Sequence, residues 1–148
     1  MKRTILLLIA SLALTSSSFA QAFFGEVGVG PSEGELFFSS TFNFEGAIVD
    51  GEMIDFTARA GIGPALTQNL KTEIHIPVGL GINYGETAHR FEIRTNYILG
   101  GSEELFNGTV GYRYQKPDGI LLRIFYMQYF TSKMIIPYFG IGIGKTFY

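Results

Sequence analysis

Apolar and polar residues alternate along most of the chain beyond its first two dozen positions. A period of two is the mark of β-strands whose two faces meet different surroundings. No segment keeps the spacing of an amphipathic helix, and no later stretch of about 18 residues is continuously apolar. The clearest alternation lies in the heptapeptide Phe91-Glu92-Ile93-Arg94-Thr95-Asn96-Tyr97. The pattern therefore predicts an all-β chain.

The alternation divides the chain into eight predicted strands, each close to the roughly 9–11 residues that a tilted strand needs to cross a bilayer. They cover residues 23–30, 35–45, 53–63, 73–84, 88–99, 106–116, 119–128 and 136–147. Because no repeat or linker separates them, we expect one domain over residues 23–148. The predicted fold is a closed, antiparallel, eight-stranded up-and-down barrel, since closure pairs every backbone group and leaves no free edge.

The connections carry turn chemistry. Lys116-Pro117-Asp118-Gly119 predicts a tight turn in which Pro sets φ and Gly is free to take a positive φ, and residues 85–87 form another short link. If the N-terminus starts inside, both turns lie on the periplasmic side and residues 64–72 and 129–135 lie outside, as expected for membrane barrels. The connection 46–52 is longer than that rule predicts for an inner turn.

The first 22 residues have the features of a cleaved secretory signal peptide. Lys2 and Arg3 precede the apolar run 5–14, which is followed by small residues. Cleavage after Ala20 or after Ala22 fits this pattern. A retained membrane anchor is the alternative, but a run this short falls well below the roughly 20 residues of a spanning helix. We expect the mature protein to leave the cytoplasm.

The composition narrows the class further. The 148 residues are 47% hydrophobic and 15% aromatic but only 16% charged, with 19 glycines and no cysteine. Charged residues usually make up about a quarter of a soluble domain and glycine about 7%. This composition excludes disorder, and the lack of cysteine excludes disulfides, a Cys-based metal site and a Cys nucleophile. A formal net charge of -2 gives no basic surface for nucleic acid.

Two arguments predict that the apolar face points outward. An eight-stranded barrel is just wide enough for side chains to fill, and nearly thirty large apolar side chains would overfill it. The opposite face carries glycines among charged residues. Glycine on a water-exposed strand only weakens it, whereas in a crowded lumen it leaves space for longer neighbours. A soluble lipocalin- or avidin-type barrel is the alternative, and it would need the apolar face inward.

The predicted lumen is polar and charged. Its expected network comprises Glu26, Glu45, Asp55, Arg59, Glu73, His75, Glu92, Arg94, Arg113 and Arg123, with Asn43, Asn96, Asn107, Gln115 and Tyr138 on the same face. Pairing between arginine and carboxylate is the expected way to keep such charges buried. The network is either a packed plug or the lining of an ion path; the narrow barrel favours the plug, so we predict no open pore.

The chain resembles small outer-membrane β-barrel proteins of Gram-negative bacteria, of the eight-stranded OmpA/OmpX-like size class, and more narrowly the family of largely uncharacterised outer-membrane β-barrel domain proteins. The most specific part is the C-terminal segment 137–147. There Phe139, Ile141, Ile143 and Phe147 resemble the strand that the barrel assembly machinery recognises. Lys145 takes an outward position that is usually apolar, where it can extend to the interface. The resemblance implies outer-membrane location and assembly through periplasmic chaperones.

Two functional hypotheses follow. The first is a non-enzymatic barrel with a structural role or with binding through its surface connections, which contain Gln68, Asn69, Lys71, Glu103, Glu104 and Lys133. The second is a lipid-modifying acyl hydrolase or transferase that uses His75 with Ser39, Thr41 and Glu73. We favour the first, because neither His75 nor His89 belongs to a catalytic motif. We expect no catalytic residue, metal or cofactor, and a monomer whose partners are outer-membrane lipids and the assembly machinery.

Overall fold

In the computed structural model of the protein, the described residues are 21–32, 35–66, 72–86, 88–100, 105–130 and 135–147. They contain eight strands: β1 (Gln21–Ser32), β2 (Glu35–Val49), β3 (Ile54–Leu66), β4 (Thr72–Tyr84), β5 (His89–Leu99), β6 (Leu105–Gln115), β7 (Ile120–Phe130) and β8 (Ile135–Phe147). All eight predicted strands are confirmed. Within these ranges, no helix is long and apolar enough to cross a membrane.

The strands form one closed barrel in chain order. Each consecutive pair is antiparallel, and β1 also pairs with β8, from Gln21 opposite Phe147 to Val29 opposite Phe139. The predicted up-and-down barrel is therefore confirmed. We call the end at which Gln21 meets Phe147 the terminal end, and the opposite end the distal end. The pairing of β2 with β3 shifts by one residue between Ala47 and Val49, which marks a β-bulge near the terminal end.

Several strands are longer than the sequence pattern predicted. The prediction of a connection over residues 46–52 is wrong. Strand β2 continues through the bulge to Val49, and only residues 50–53 join it to β3. The distal connections predicted over residues 64–72 and 129–135 are also shorter than predicted, because β3 extends to Leu66 and β7 to Phe130. Residues 67–71, 100–104 and 131–134 then separate the distal ends of successive strands.

The turn between β6 and β7 corrects one detail of the prediction. Gly119 N–H donates to the Lys116 carbonyl at 3.1 Å, so Lys116–Gly119 form a β-turn with Pro117 at its second position. The positive φ lies at Asp118, at 48°, and not at Gly119. Asp tolerates this conformation better than most residues, because its short side chain bonds locally.

The strand faces have the predicted orientation. Large apolar side chains point outward, and Phe91 and Ile93 on β5 are both 65% exposed. On the inner face, glycines sit beside the largest side chains. A Cβ at Gly140 would lie 2.3 Å from Phe125 Cζ, and one at Gly28 would lie 2.4 Å from Tyr138 Cε1. The missing side chains therefore make the space that the large lumen residues occupy.

Candidate functional site in the barrel lumen

The polar residues singled out from the sequence come together inside the barrel. Nine of the ten lumen-network residues are buried: Glu26, Glu45, Asp55, Arg59, His75, Glu92, Arg94, Arg113 and Arg123. The tenth, Glu73, is half-buried near the distal end, where its carboxylate lies 3.6 Å from His75 Nε2. Strand alternation brings them together, since successive inward positions on all eight strands face the same axis.

Seven of these residues form what we call the central ion cluster: Glu26, Glu45, Glu92, Arg59, Arg94, Arg113 and Arg123. On one side, Glu26 Oε1 accepts from Arg59 Nη1 at 3.0 Å and also contacts Arg123. Asn43 Nδ2 donates to the other Glu26 oxygen at 3.2 Å. Both oxygens of this buried carboxylate are therefore occupied, which offsets its loss of hydration.

The other side of the cluster shares two carboxylates among three arginines. Glu45 contacts Arg94 and accepts from Arg113 at 2.6 Å. Glu92 contacts Arg123 and lies 3.5 Å from Arg94 and 3.8 Å from Arg113. Arg123 thus links Glu92 to Glu26, and the seven groups form one continuous chain of opposite charges across the lumen.

A separate ion pair joins Asp55 to Arg90 near the terminal end. Sequence analysis placed Asp55 in the lumen but missed Arg90. The sequence does contain a pattern that identifies Arg90 as a lumen residue. Arg90 is in phase with Glu92 and Arg94 on the inward face of β5. The clear alternation in β5 begins at Phe91, so that alternation by itself does not assign Arg90 to a face.

An aromatic cluster fills the distal part of the lumen, and sequence analysis missed most of it. Its buried members are Ile98, Phe125, Met127, Tyr129 and Tyr138, with Phe37 and Ile136 packed against them. The Phe37 ring lies 5.8 Å from Tyr129 and 6.0 Å from Tyr138, and both pairs are edge-on. The lumen is therefore not uniformly polar: a layer of rings covers the ion cluster on its distal side.

Apolar residues also pack at the terminal end. Ala22, Phe24 and Leu121 form a second buried cluster. The guanidinium of Arg123 lies 5.3 Å from the Phe24 ring and 4.6 Å from the Phe125 ring. These are cation–π distances, so Arg123 is held by two rings as well as by two carboxylates.

His75 lies at the distal end of the lumen, near the residues proposed as its catalytic partners. Ser39, Thr41 and His75 line the same small cavity. The Ser39 hydroxyl forms a 2.6 Å hydrogen bond with the Tyr138 hydroxyl, and Tyr138 also donates to the Ser39 carbonyl at 3.2 Å. The His75 ring packs 6.2 Å from Phe37. The Ser39 hydroxyl is thus already hydrogen-bonded to Tyr138.

The predicted C-terminal assembly residues all point outward. Phe139, Ile141 and Ile143 are about 60% exposed and Phe147 is 41% exposed. Lys145 also faces outward, and its Nζ lies 5.2 Å from the Phe147 ring centre. Between them, Thr146 faces inward, and its hydroxyl and amide bond to the β6–β7 turn at Lys116 and Gly119. The last strand thus presents an apolar outer face and fixes a turn with its inner face.

No protein-family model matches the sequence, and no curated protein matches it either. Solved structures do match the fold. Neisserial surface protein A is 11% identical to this chain, with a TM-score of 0.60. The match covers 88% of this chain and 96% of that one. A de novo designed transmembrane β-barrel is 12% identical with a TM-score of 0.58, covering 86% and 94% of the two chains.

The N-terminal β-barrel domain of Pseudomonas aeruginosa OprF is a further neighbour. It is 8% identical, with a TM-score of 0.53, and the match covers 85% of this chain and 97% of that one. At such identities the likeness shows the fold alone. The chain has the fold of small eight-stranded transmembrane β-barrels.

Proposed function

We propose that the protein is a non-enzymatic integral outer-membrane β-barrel with a plugged lumen. One observation carries this proposal: the charged residues are sealed inside and the large apolar residues cover the outside. An exposed surface of this kind is stable only against acyl chains. Fractionation followed by electrophoresis without boiling tests location and closure together. The protein is expected in the detergent-solubilised outer membrane, with a mobility that changes on heating.

The proposed orientation puts the terminal end in the periplasm. The outward residues Phe139, Ile141, Ile143 and Phe147 then meet the barrel assembly machinery after export, and lipids are the remaining partners of a monomeric barrel. Phe147→Ala is expected to lower the amount of heat-modifiable protein in the outer membrane while export continues. The control is Phe91→Ala, which removes an outward ring of β5 and leaves the last strand intact.

The proposed plug follows from how the lumen is filled. The ion cluster lies between the aromatic cluster and the apolar residues of the terminal end. Two cavities beside it, lined by described residues, offer about 20 Å³ and 10 Å³ to the centres of water molecules, which is space for isolated waters and not for a continuous column. In planar bilayers we expect no steady conductance. A stable, ion-carrying current from the purified protein would contradict the plug.

Any binding role falls to the distal connections. Loops on rigid scaffolds commonly carry recognition, and the predicted loop residues Gln68, Asn69, Lys71, Glu103, Glu104 and Lys133 lie outside the described residues. Replacing 67–71, 100–104 and 131–134 with short Gly/Ser links, one at a time, separates the two roles. Loss of an adhesion, phage or envelope phenotype with an intact barrel supports binding; an unchanged phenotype supports a structural role.

The lipid-modifying alternative is disfavoured by the surroundings of His75. Its ring packs against Phe37, and the hydroxyl of Ser39, its candidate nucleophile, is bonded to Tyr138. An activated serine needs its hydroxyl directed at the base. We therefore expect the acyl composition of lipid A to be unchanged when the protein is overexpressed. A change that disappears in His75→Gln would establish the enzyme instead.

A further inference from the structure

The central ion cluster is unbalanced in charge. Among the described residues it contains four arginines, Arg59, Arg94, Arg113 and Arg123, against three glutamates, Glu26, Glu45 and Glu92. The nearby Asp55–Arg90 pair is neutral as a whole and does not alter this difference. Aromatic rings cover the cluster on its distal side, so solvent screening of the surplus charge is weak.

Arg59 shares its ion-pair carboxylate with a second arginine of the cluster. Its ion-pair partner is Glu26, which Arg123 also contacts, so two arginines share one carboxylate there. Arg59 is 3% exposed, and its Nε–H, like that of the other three arginines of the cluster, has no hydrogen-bond partner among the described residues. A buried guanidinium that shares its carboxylate in this way favours an additional anion.

A cavity lies beside this guanidinium. It offers about 20 Å³ to the centres of water molecules, and its polar lining is Glu26, Ser39, Thr41, Arg59, His75 and Asn107. That space accommodates one small ion, and an organic acid would not fit. Glu26 also lines it, but its charge is already balanced by Arg59 and Arg123. Glu73, the remaining carboxylate nearby, lies at the half-exposed rim beyond His75, where water screens it.

We propose that this cavity binds one small monovalent anion, chloride or an equivalent halide, beside Arg59. The anion makes the central ion cluster neutral and thereby stabilises the closed barrel. It accepts a hydrogen bond from Arg59 Nε–H, with the Asn107 amide as a second available donor on the cavity wall. The site goes beyond the proposed structural role and is independent of any surface partner.

The first experiment compares thermal unfolding of the detergent-solubilised barrel, followed by circular dichroism, in sodium chloride and sodium gluconate at equal ionic strength. A ligand of the folded state raises the melting temperature in a concentration-dependent manner. We expect a rise of about 4 °C for each tenfold increase in chloride above its dissociation constant. Equal melting temperatures in the two salts would overturn the proposal.

Two variants locate the effect. Arg59→Gln leaves three arginines against three glutamates, so the chloride-dependent rise should disappear. Asp55→Asn/Arg90→Gln is the matched control: it removes a buried ion pair outside the cavity, keeps four arginines against three glutamates in the central ion cluster and retains the chloride-dependent rise. If Arg59→Gln keeps the rise, chloride binds elsewhere and the proposal is wrong.

A second measurement uses the unmodified protein and does not depend on whether a variant folds. Crystals grown in sodium bromide should give an anomalous-difference peak in the cavity between Arg59 and Asn107. A peak at an exposed lysine with none in the cavity would contradict the assignment. These outcomes are separate from the plug, since a chloride-sensitive barrel and a chloride-insensitive one both fail to conduct when the lumen is filled.

Discussion

Arg123 on β7 lies directly opposite Gly142 on β8. A Cβ at position 142 would come within 2.7 Å of Arg123 Cγ and 3.2 Å of Glu26 Cγ. The same relationship recurs around the lumen, where Glu92 faces Gly111 and Phe125 faces Gly140. In these three pairs a long inward side chain lies across the space that a glycine on the next strand leaves open. The glycine pattern and the ion cluster are two parts of one packing arrangement.

Adding one methyl group to the inner wall should therefore be costly. In Gly140→Ala the new Cβ meets the Phe125 ring at 2.3 Å and the Val27 carbonyl at 2.8 Å, and neither can move away freely. We expect a loss of about 1–3 kcal/mol in the free energy of unfolding, typical of overpacking. Urea titration of barrels folded in lipid vesicles, read by the mobility shift, measures it.

The outer wall provides the matched control. Gly108 faces outward, and a Cβ there meets only the Phe130 ring edge at 3.8 Å, an ordinary contact. Gly108→Ala should therefore change the free energy of unfolding by less than about 0.5 kcal/mol. Equal losses in Gly108→Ala and Gly140→Ala would show that strand propensity, and not lumen packing, determines the effect.

Neutralising one carboxylate of the central ion cluster should destabilise the barrel. Glu92→Gln removes a charge that contacts Arg94, Arg113 and Arg123, and leaves four buried arginines with two glutamates. Breaking a buried ion pair from one side costs about 3–5 kcal/mol. The urea midpoint of Glu92→Gln in vesicles measures this loss, with Glu52→Gln at the exposed β2–β3 connection as the control.

Removing both partners should cost less than removing one. The double variant Glu92→Met/Arg123→Met deletes one positive and one negative charge and keeps the lumen filled with side chains of similar length. We expect it to be more stable than Glu92→Gln alone. If the double variant is the less stable of the two, the ion pair contributes net stability and the desolvation argument does not apply here.

The orientation of the two faces can be tested with adjacent residues. Thr109 is buried in the lumen, whereas Val110 is 51% exposed on the outer wall. Because the chain has no cysteine, Thr109→Cys and Val110→Cys each carry a unique thiol. In membranes a lipid-soluble maleimide should modify Val110→Cys and leave Thr109→Cys unmodified until the barrel is unfolded.

The reverse labelling pattern would mean that the barrel is inside out. Modification of Thr109→Cys in the folded barrel by a charged, water-soluble maleimide would separately contradict the plugged lumen. The two reagents therefore report on two different parts of the proposal, and the same pair of variants serves both.

The predicted signal peptide lies outside the described residues up to position 20, and the contacts of Ala22 favour one of its two predicted cleavage positions. Ala22 is buried against Phe24 and Leu121, and it pairs with Glu45 and with Thr146. Cleavage after Ala22 would remove these contacts, whereas cleavage after Ala20 keeps all of β1. We expect the mature protein to begin at Gln21, which intact-mass measurement of the outer-membrane form determines. A mass that corresponds to a start at Phe23 would show that the barrel closes without the first two residues of β1.

The sequence predicted the barrel and its two faces because alternation is a local property. In β5, polar and apolar residues alternate clearly from Phe91 to Tyr97, apart from Thr95, so the faces of these residues could be assigned. In β7 both faces carry large apolar residues, and only Arg123 indicates which positions point inward. The inward side chains of Leu121, Phe125, Met127 and Tyr129 were therefore missed.

The partners inside the lumen could not be predicted for a different reason. Which arginine meets which carboxylate depends on register and on strand tilt, and these are set by pairing around the whole ring. Asp55 and Arg90 are 35 positions apart and lie on strands that are not neighbours. The extra length of β2 was missed because of a bulge. The bulge at Ala47–Val49 disrupts the alternation of the sequence without ending the strand.

The pairing of β1 with β8 joins the most distant strands of the chain. Until the final residues arrive, both of these strands have an unpaired edge, and neither the lumen nor the outer wall is complete. A product that lacks β8 leaves unpaired edges on β1 and β7, which are templates for aggregation. Such a product therefore differs from the closed barrel by an open seam between β1 and β7.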